Sequence, residues 1–413
     1  MGIETDRICR KPIGTAAELR NVSADCLVRI LYASERPPYP FFIGGAARAA
    51  HMLLVRIAEM PGATCTAFGS SDYSVSPWRF PNAADHAALG IHVANQPNDR
   101  LDCGYPIRLL PDFYRTLGDE ITLTRPDLVW SQLEGALSVL RIAQQLGVMG
   151  LCYVHDAEFD PNEMRAIAAL DCHLIASSGF LAAKVRHAVG RPVSVVFPPA
   201  ELYFDTNGDV NGMVTMINPH PVKGLDTFIG IAKRLPAVSF LLQESWKLTG
   251  EALAALEVQL AELPNVRFAH RVSDMRSVYR QTRLLIAPSR WEEGFGMVAL
   301  EAQSCGIPVI ASRRGGLPEA VGDGGVLIDD YANVDAWVSA IGQVLSDATR
   351  YQDYAERARR HASSARFAPD ALAHQLVAIV ASTPNQSGWF ARRAFGVRRR
   401  AKSWPLIGRL IGL

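Results

Sequence analysis

The sequence predicts an α/β protein made of two doubly wound, Rossmann-like domains facing each other across a cleft. Three observations carry that expectation. The chain has 413 residues, more than one domain of ordinary size, and two domains is the default reading of that length. Apolar residues make up 49% of it, enough for each half to build its own core. Short apolar, β-branched runs alternate with helical patterns almost throughout, and near-continuous apolar strands between helices mean parallel sheets covered on both faces.

In order, the first strand series is CLVRILYA (26–33), TCTAFG (64–69), DLVWSQ (127–132), GLCYVH (150–155), HLIASS (173–178) and VSVVF (193–197). The second is MVTMIN (213–218), VSFLLQ (238–243), NVRFAH (265–270), RLLIAPS (283–289), IPVIAS (307–312) and GVLID (325–329). Between the two lies FPPAELYFDTNGDVNG (197–212), rich in Pro, Gly, Asn and Asp as a linker should be. The expected organisation is therefore a first domain over 1–203, a second over 204–365, a helix over 366–383 that crosses back to the first, and a tail over 384–413. Residues 70–120 read as loop-rich, with Tyr73, Trp78, Phe80, Tyr105 and Tyr114 as candidates to stack on an acceptor or to fill the core. Ligands of open α/β sheets bind beyond the carboxyl ends of the strands, so the cleft between two such sheets is the natural site.

Net charge is +1 but uneven. Residues 389–413 hold Arg392, Arg393, Arg398, Arg399, Arg400, Lys402 and Arg409 with no acid, leaving 35 basic and 41 acidic residues elsewhere. A mildly acidic body with a basic, aromatic tail (Trp389, Phe390, Phe395, Trp404) does not suit nucleic acid. The tail suits an anionic membrane surface, or else solubilises or docks on the acidic body. Seven cysteines without a C-x-x-C pair argue against a disulfide framework or zinc ribbon and for a reducing compartment. The opening residues lack a signal-peptide core and the myristoylation pattern. The expected location is cytoplasmic, with the tail against the inner face of the plasma membrane.

The most informative stretch is WEEGFGMVALEAQSCGIPVIASRRGG, Trp291 to Gly316. It reads as a strand-to-helix turn, EGFG, followed by a short helix closed by Gly306. A helix N-terminus offers free N–H groups and a positive dipole end to a phosphate, and glycines let a ligand approach the backbone. Glu293 and Glu301 flank this turn. Carboxylates beside a phosphate are suited to accept hydrogen bonds from sugar hydroxyls; the bland alternative is two solvated surface charges.

PSRWEEGFGMVALEAQSCGIPVIASRRGGLPEAV resembles the E-x₇-E signature of retaining glycosyltransferases of group 1 (family four), which have the GT-B fold. VTMINPHPVKGLDTFIGIAKRL is similar to that family's phosphate segment, and YPFFIGGAARAAHMLLVRIAE to its glycine loop and first helix. RPDLVWSQ, YVHDAE and DCHLIASSGF follow in the expected order, so the resemblance spans about residues 26–383. It implies that Glu293 contacts the hydroxyls of the transferred sugar with the backbone of Gly294, Phe295 and Gly296. It further implies that Glu301 binds the ribose, Lys223 neutralises the diphosphate, Gly44 and Gly45 approach phosphate or acceptor, and His155 touches the donor sugar. Lys223 is expected to open an amphipathic helix. Where the family usually carries Arg, this chain has Asn218, which can bond a phosphate oxygen but brings no charge; Arg271 or Arg313 are candidate compensating cations. The family's usual glycine after the next strand is replaced by LLQESW.

The implied reaction is transfer of a sugar from a UDP- or GDP-sugar to a glycan, lipid-linked or small-molecule acceptor, in cell-envelope or polysaccharide synthesis. Retention comes by same-face displacement, with no covalent nucleophile in view. No D-x-D motif occurs, so neither a metal nor another cofactor is expected. Two rivals remain. One is a GT-B protein that binds a nucleotide sugar without transferring it, or an epimerase or phosphorylase relative. The other is a dinucleotide-dependent oxidoreductase, since Gly294-Phe-Gly296-Met-Val-Ala299 matches G-x-G-x-x-A; its position late in the second domain, with only Glu319 as ribose-binding acid, argues against it.

Overall fold

The computed structural model describes residues 28–42, 44–71, 100–272 and 274–382. Tyr73, Trp78, Phe80 and the basic tail lie outside the described residues. Two sheets organise the chain. The first contains β1 (Val28–Ser34), β2 (Ala63–Ser70), β3 (Arg100–Asp102), β4 (Pro106–Leu110), β5 (Leu128–Gln132), β6 (Met149–Val154), β7 (Cys172–Ala176) and β8 (Ser194–Val195), in the order β3-β4-β2-β1-β5-β6-β7-β8. The second contains β9 (Met213–Ile217), β10 (Phe240–Gln243), β11 (Val266–Ala269), β12 (Thr282–Ala287), β13 (Val309–Ser312) and β14 (Gly325–Ile328), in the order β11-β10-β9-β12-β13-β14. Every recorded pairing is parallel except β3 with β4.

The second sheet has the 3-2-1-4-5-6 order of the doubly wound dinucleotide fold, reversing between β9 and β12. The first reverses between β1 and β5. At each reversal the crossover helices leave to opposite faces, so a crevice opens at the carboxyl ends of the two central strands. The strands there are apolar on both faces: β5, Leu-Val-Trp-Ser-Gln, is buried throughout, and Trp130 meets Tyr32 of β1 edge to face at 5.4 Å.

The described helices are α1 (Gly45–Ala58), α2 (Phe113–Thr124), α3 (Ala136–Gln145), α4 (Pro161–Ala168), α5 (Gly179–Val189), α6 (Leu225–Arg234), α7 (Gly250–Leu260), α8 (Arg276–Tyr279), α9 (Met297–Ser304), α10 (Leu317–Val321), α11 (Val334–Leu345), α12 (Ala348–Ala362) and α13 (Pro369–Ser382). α13 lies on α1. Its Leu372, Ala373, Leu376 and Val380 are buried in one cluster with Ala50, Leu53, Leu54 and Ile57 and with strands of the first sheet. None of the described helices is long and apolar enough to cross a membrane.

Region 70–120 is described at residues 70–71 and 100–120. Its described part forms β3, β4 and the start of α2, and Tyr105 is a core residue at 2% exposure rather than a stacking platform. The first sheet therefore has eight strands where the apolar pattern predicts six.

Candidate functional site

The helix starts separate into two kinds. Asp160, Ser178, Thr249, Asn333 and Asp347 each cap a helix with a side-chain oxygen that accepts a backbone N–H. Such a cap is absent at α2, α8 and α10 and at the helices that follow the four central strands. α1, α3, α6 and α9 begin on Gly44, Gly135, Gly224 and Gly296, none with a side-chain cap. First-turn amides that no side chain satisfies are donors available to a ligand. Two of these starts meet across the cleft: a Cβ placed on Gly45 would lie 3.6 Å from Sδ of Met297, the first residue of α9.

Lys223, expected to open an amphipathic helix, instead closes a 3₁₀ turn, Pro221–Lys223, just ahead of α6, and there it meets Glu293. Leu225 starts that helix only after Gly224 has turned the chain at φ 86°. Nζ of Lys223 bonds both Glu293 oxygens, at 2.7 and 2.8 Å, and Ser289 Oγ donates to Oε1 at 2.8 Å. Both charged side chains are less than one-fifth exposed.

Glu301 sits elsewhere. It is buried at 5% exposure on α9, and the Tyr279 hydroxyl donates to its Oε2 at 2.8 Å. Burial pushes its carboxyl up to about 7, against the pull of the Arg48 guanidinium and of the Tyr279 hydrogen bond. Arg48, from α1 across the cleft, also lies 3.7 Å from Glu201. The two glutamates of the signature thus face different surroundings and, among the described residues, share no hydrogen-bond partner.

Gly294 is glycine for a reason the sequence does not show. A Cβ there would collide with the backbone carbonyl of His155, and Ser177 Oγ donates to the Gly294 carbonyl at 3.2 Å. The close approach is chain on chain, between the two halves, rather than ligand on chain. Gly296 has φ 107°, a left-handed conformation that favours glycine, and a Cβ would meet Leu317 at 2.7 Å. The Phe295 side chain is buried between the halves, 5.3 Å from Phe197 and 5.9 Å from Phe367. Only its backbone can serve a ligand.

His155 lies at the end of β6, stacked on Tyr153 at 4.0 Å. Gln132 Nε2 donates to the Ala46 carbonyl at 3.0 Å, so Gln132 Oε1 is the acceptor for His155 Nε2–H, also at 3.0 Å. That fixes Nδ1 as the bare, accepting nitrogen. Burial pushes the imidazole down to about 3, so it is neutral at physiological pH. Next to it, burial and then Glu134 raise the Asp156 carboxyl, opposed by Arg36 and Lys223.

Asn218 ends β9 at φ 74°, a left-handed position where Asn is far more common than Arg. Its Oδ1 accepts the Trp246 N–H at 3.2 Å, so that oxygen is engaged by the chain. The Arg271 backbone donates to Glu244 at 3.3 Å, and Arg313 pairs with Asp329 at 2.6 Å. Among the described residues, no group of three or more His, Cys, Asp or Glu side chains could hold a metal ion.

The halves are tied close to this site. Glu319 of α10 accepts the Gly179 and Phe180 N–H groups at the start of α5, both at 2.8 Å, and Lys184 pairs with Glu292 at 2.5 Å. Sequence reasoning missed Ser289, Tyr279, Gln132 and Arg48. Ser289 and Gln132 stand at strand ends, a readable signal; Tyr279 and Arg48 offer none without the fold.

Residues 207–361 match the family model described as "Glycosyl transferases group 1". The D-inositol 3-phosphate glycosyltransferase of Rhodococcus opacus is 31% identical over 209 residues, covering 44% of this chain and 46% of that protein. The one from Rhodococcus jostii is 30% identical over 252 residues, covering 54% and 55%. The chain thus spans about half the length of these curated relatives. The crystal structure of Anabaena Alr3699/HepE in complex with UDP and glucose superposes with a TM-score of 0.69 at 18% identity, covering 86% of this chain and all of that one. WaaG, a glycosyltransferase involved in lipopolysaccharide biosynthesis, gives 0.62 at 14% identity over 86% of this chain and all of WaaG. The fold is GT-B, two Rossmann-like domains, as the sequence predicts.

Proposed function

The chain belongs, through residues 207–361, to the group 1 glycosyl transferases, and on that premise we propose that it transfers a sugar from a UDP- or GDP-sugar to an acceptor hydroxyl with retention of configuration. One observation carries the reading. Glycine-started helices flank both switch points, and the Lys223–Glu293–Ser289 cluster stands at the one in the second domain. In this reading the diphosphate lies at the start of α9, where uncapped amides and Lys223 meet the charge that grows on it as the C1–O bond breaks. Stabilisation that increases with that charge lowers the barrier. Glu293 accepts hydroxyls of the sugar, and Glu301 accepts those of the ribose.

His155 is neutral and presents Nδ1 as an acceptor, so its part is to orient a sugar hydroxyl and not to supply charge. The acceptor oxygen bonds C1 on the face the phosphate leaves, and its proton passes to the departing phosphate oxygen. Two electrons leave with the phosphate, two arrive from the acceptor, and no covalent enzyme intermediate is required. In this reading Lys223 and the helix-start amides do the work that a metal ion would otherwise do. The acceptor belongs to the classes of glycan, lipid-linked sugar or phosphorylated small polyol, the last suggested by the relatives' names. A role in cell-envelope glycan synthesis at the cytoplasmic membrane face, aided by the basic tail, completes the proposal.

The first test is thermal stabilisation by nucleoside diphosphates, with and without chelator, on wild type and Glu301→Ala. A ligand at about 100 times its Kd adds about 2.7 kcal/mol. The reading expects one diphosphate to stabilise the wild type equally with chelator, and the variant to lose the effect. Stabilisation by NAD(H) alone would overturn it. A second reading, a nucleotide-sugar binder without transfer, is favoured by Asn218 standing where the family has Arg. Product formation with an acceptor separates the two.

A further inference from the structure

We propose that Arg48 and Glu201 form a joint across the cleft that holds Glu301 ready for the nucleotide, so that the first domain and the linker share in donor binding. The inference rests on the nucleotide-sugar reading and deepens it. Glu301 lies on α9 of the second domain, yet Arg48 on α1 of the first is tied to it through the linker. Arg48 Nε lies 3.7 Å from Glu201 Oε1, and the other oxygen of Glu201 accepts the Tyr203 hydroxyl. Tyr203 carries the contact onward twice. Its ring lies 5.7 Å from that of Tyr279, whose hydroxyl donates to Glu301 Oε2 at 2.8 Å. Its backbone N–H donates to Ser304 Oγ at 2.8 Å, and Ser304 Oγ donates to the Glu301 carbonyl at 2.6 Å. Side chain and backbone of Glu301 are therefore both reached from Glu201 through Tyr203.

The charges of the joint act on Glu301 in opposite senses. The described titratable groups that face its buried carboxyl are Arg48 from α1, Glu201 and Tyr203 from the linker, Tyr279 from α8 and the Cys305 thiol at the end of α9. Arg48 is the cation of that set and Glu201 its second carboxylate. Arg48 favours the anionic form of Glu301, the form that accepts hydroxyl donors; Glu201 disfavours it, while pairing with Arg48. Arg48 belongs to one domain and Glu301 to the other, so the pull lasts only while the halves stand as they do here. A ribose entering the closed cleft then meets a carboxylate already biased to accept its hydroxyls. Neither Arg48 nor Glu201 has to touch the donor for this; both act through Glu301 as positioning residues.

The experiment measures UDP and GDP affinity by calorimetry from about pH 6 to 9, and the melting point of the free protein over the same range, on wild type, Arg48→Gln, Arg48→Lys and Glu201→Gln. For the diphosphate that binds, Arg48→Gln should weaken affinity by roughly fivefold at pH 7 and hardly at pH 9, where Glu301 is anionic without help. Arg48→Lys should restore most of the loss. Glu201→Gln should move the midpoint of affinity against pH the other way, below that of wild type. The melting points read Glu301 without any ligand. The stability lost as pH rises through about 7 should be lost at higher pH in Arg48→Gln and at lower pH in Glu201→Gln. Shifts of both variants in one direction, no shift in either, or an Arg48→Gln loss equal at pH 7 and pH 9 would overturn the joint. If wild type binds neither diphosphate while the melting midpoints move apart, the nucleotide reading has failed and the link from Arg48 and Glu201 to Glu301 stands.

Discussion

Glu293 and Glu301 belong to one sequence signature, yet the structure holds them in opposite ways. Around Glu293 the chain supplies an ammonium and a hydroxyl, so the carboxylate is matched by charge. Around Glu301 it supplies Leu300, Ala302 and the Tyr279 ring, so burial works against the charge and lifts the carboxyl to about 7. The first is a site prepared for ionic chemistry. The second bears a desolvation cost that a ligand with hydroxyl donors would relieve. Equal spacing in a motif does not imply equal electrostatics; the helix start between them separates a polar turn from a core.

The largest effect should come from the Glu293 side. Lys223→Met removes the cation and leaves Glu293 with Ser289. In a transferase, kcat should drop by about 10²–10³-fold, as when a main electrostatic partner of the transition state is lost, and the melting point should fall too, because Glu293 loses the charge that matches it. Retained turnover in a steady-state assay would remove Lys223 from the machinery.

Glu301→Gln tests the other side through pH. The folded chain holds a proton near pH 7 that the unfolded chain, at its ordinary 4.5, has lost. The stability from that proton is full below 4.5 and is lost as pH rises through about 7. The total is of order 3 kcal/mol. The glutamine variant should melt near wild type at pH 5 and above it at pH 8, while its nucleotide affinity is reduced. In wild type, nucleotide binding should weaken as pH falls below 7, because the anion is the accepting form. Parallel melting curves across pH would show that Glu301 titrates normally.

Glu319→Ala separates the two sides through the interface. Gly316 N–H bonds the Glu293 carbonyl at 2.7 Å, so α10 supports the Glu293 turn directly. Losing the Glu319 bonds to α5 should cost about 1–3 kcal/mol of interface stability and lower kcat, while nucleotide affinity through Glu301 is kept. Small-angle scattering should show a wider particle. Unchanged scattering and turnover would make Glu319 a surface contact only. The smallest effect is expected from Tyr279→Phe: about 1 kcal/mol, with the pH midpoint of Glu301 moved upward. A downward or absent shift would contradict the hydrogen bond described.

Legibility in the sequence followed local signal. The strands of the second sheet were readable because most are apolar runs flanked by polar or glycine residues, with β11, which carries an exposed Arg267, the weakest of them. β3 and β4 were not: three and five residues long, they sit at the sheet edge around a Gly104–Tyr105 turn, and PIRLL mixes charge into its run. The resemblance singled out Lys223 and Glu293 one by one, not the ion pair between them. Tyr279 and Arg48, which set the electrostatics of Glu301, reach it only through tertiary packing, and no periodicity points to them. Gly294 was legible as a required glycine but not for its reason, because the His155 carbonyl that excludes a side chain comes from the other sheet.

α13 bears on how the chain can be taken apart. Its apolar face completes a core begun by α1, more than 300 residues earlier. Anyone recombining this protein with a relative to exchange donor or acceptor preference must therefore draw residues 369–382 from the same parent as residues 28–58, or the graft will join two halves whose surfaces were never selected together. A shortened version stopping before Pro369 would open the cluster that α13 shares with Leu53, Leu54 and Ile57, and stability would be lost before any chemistry.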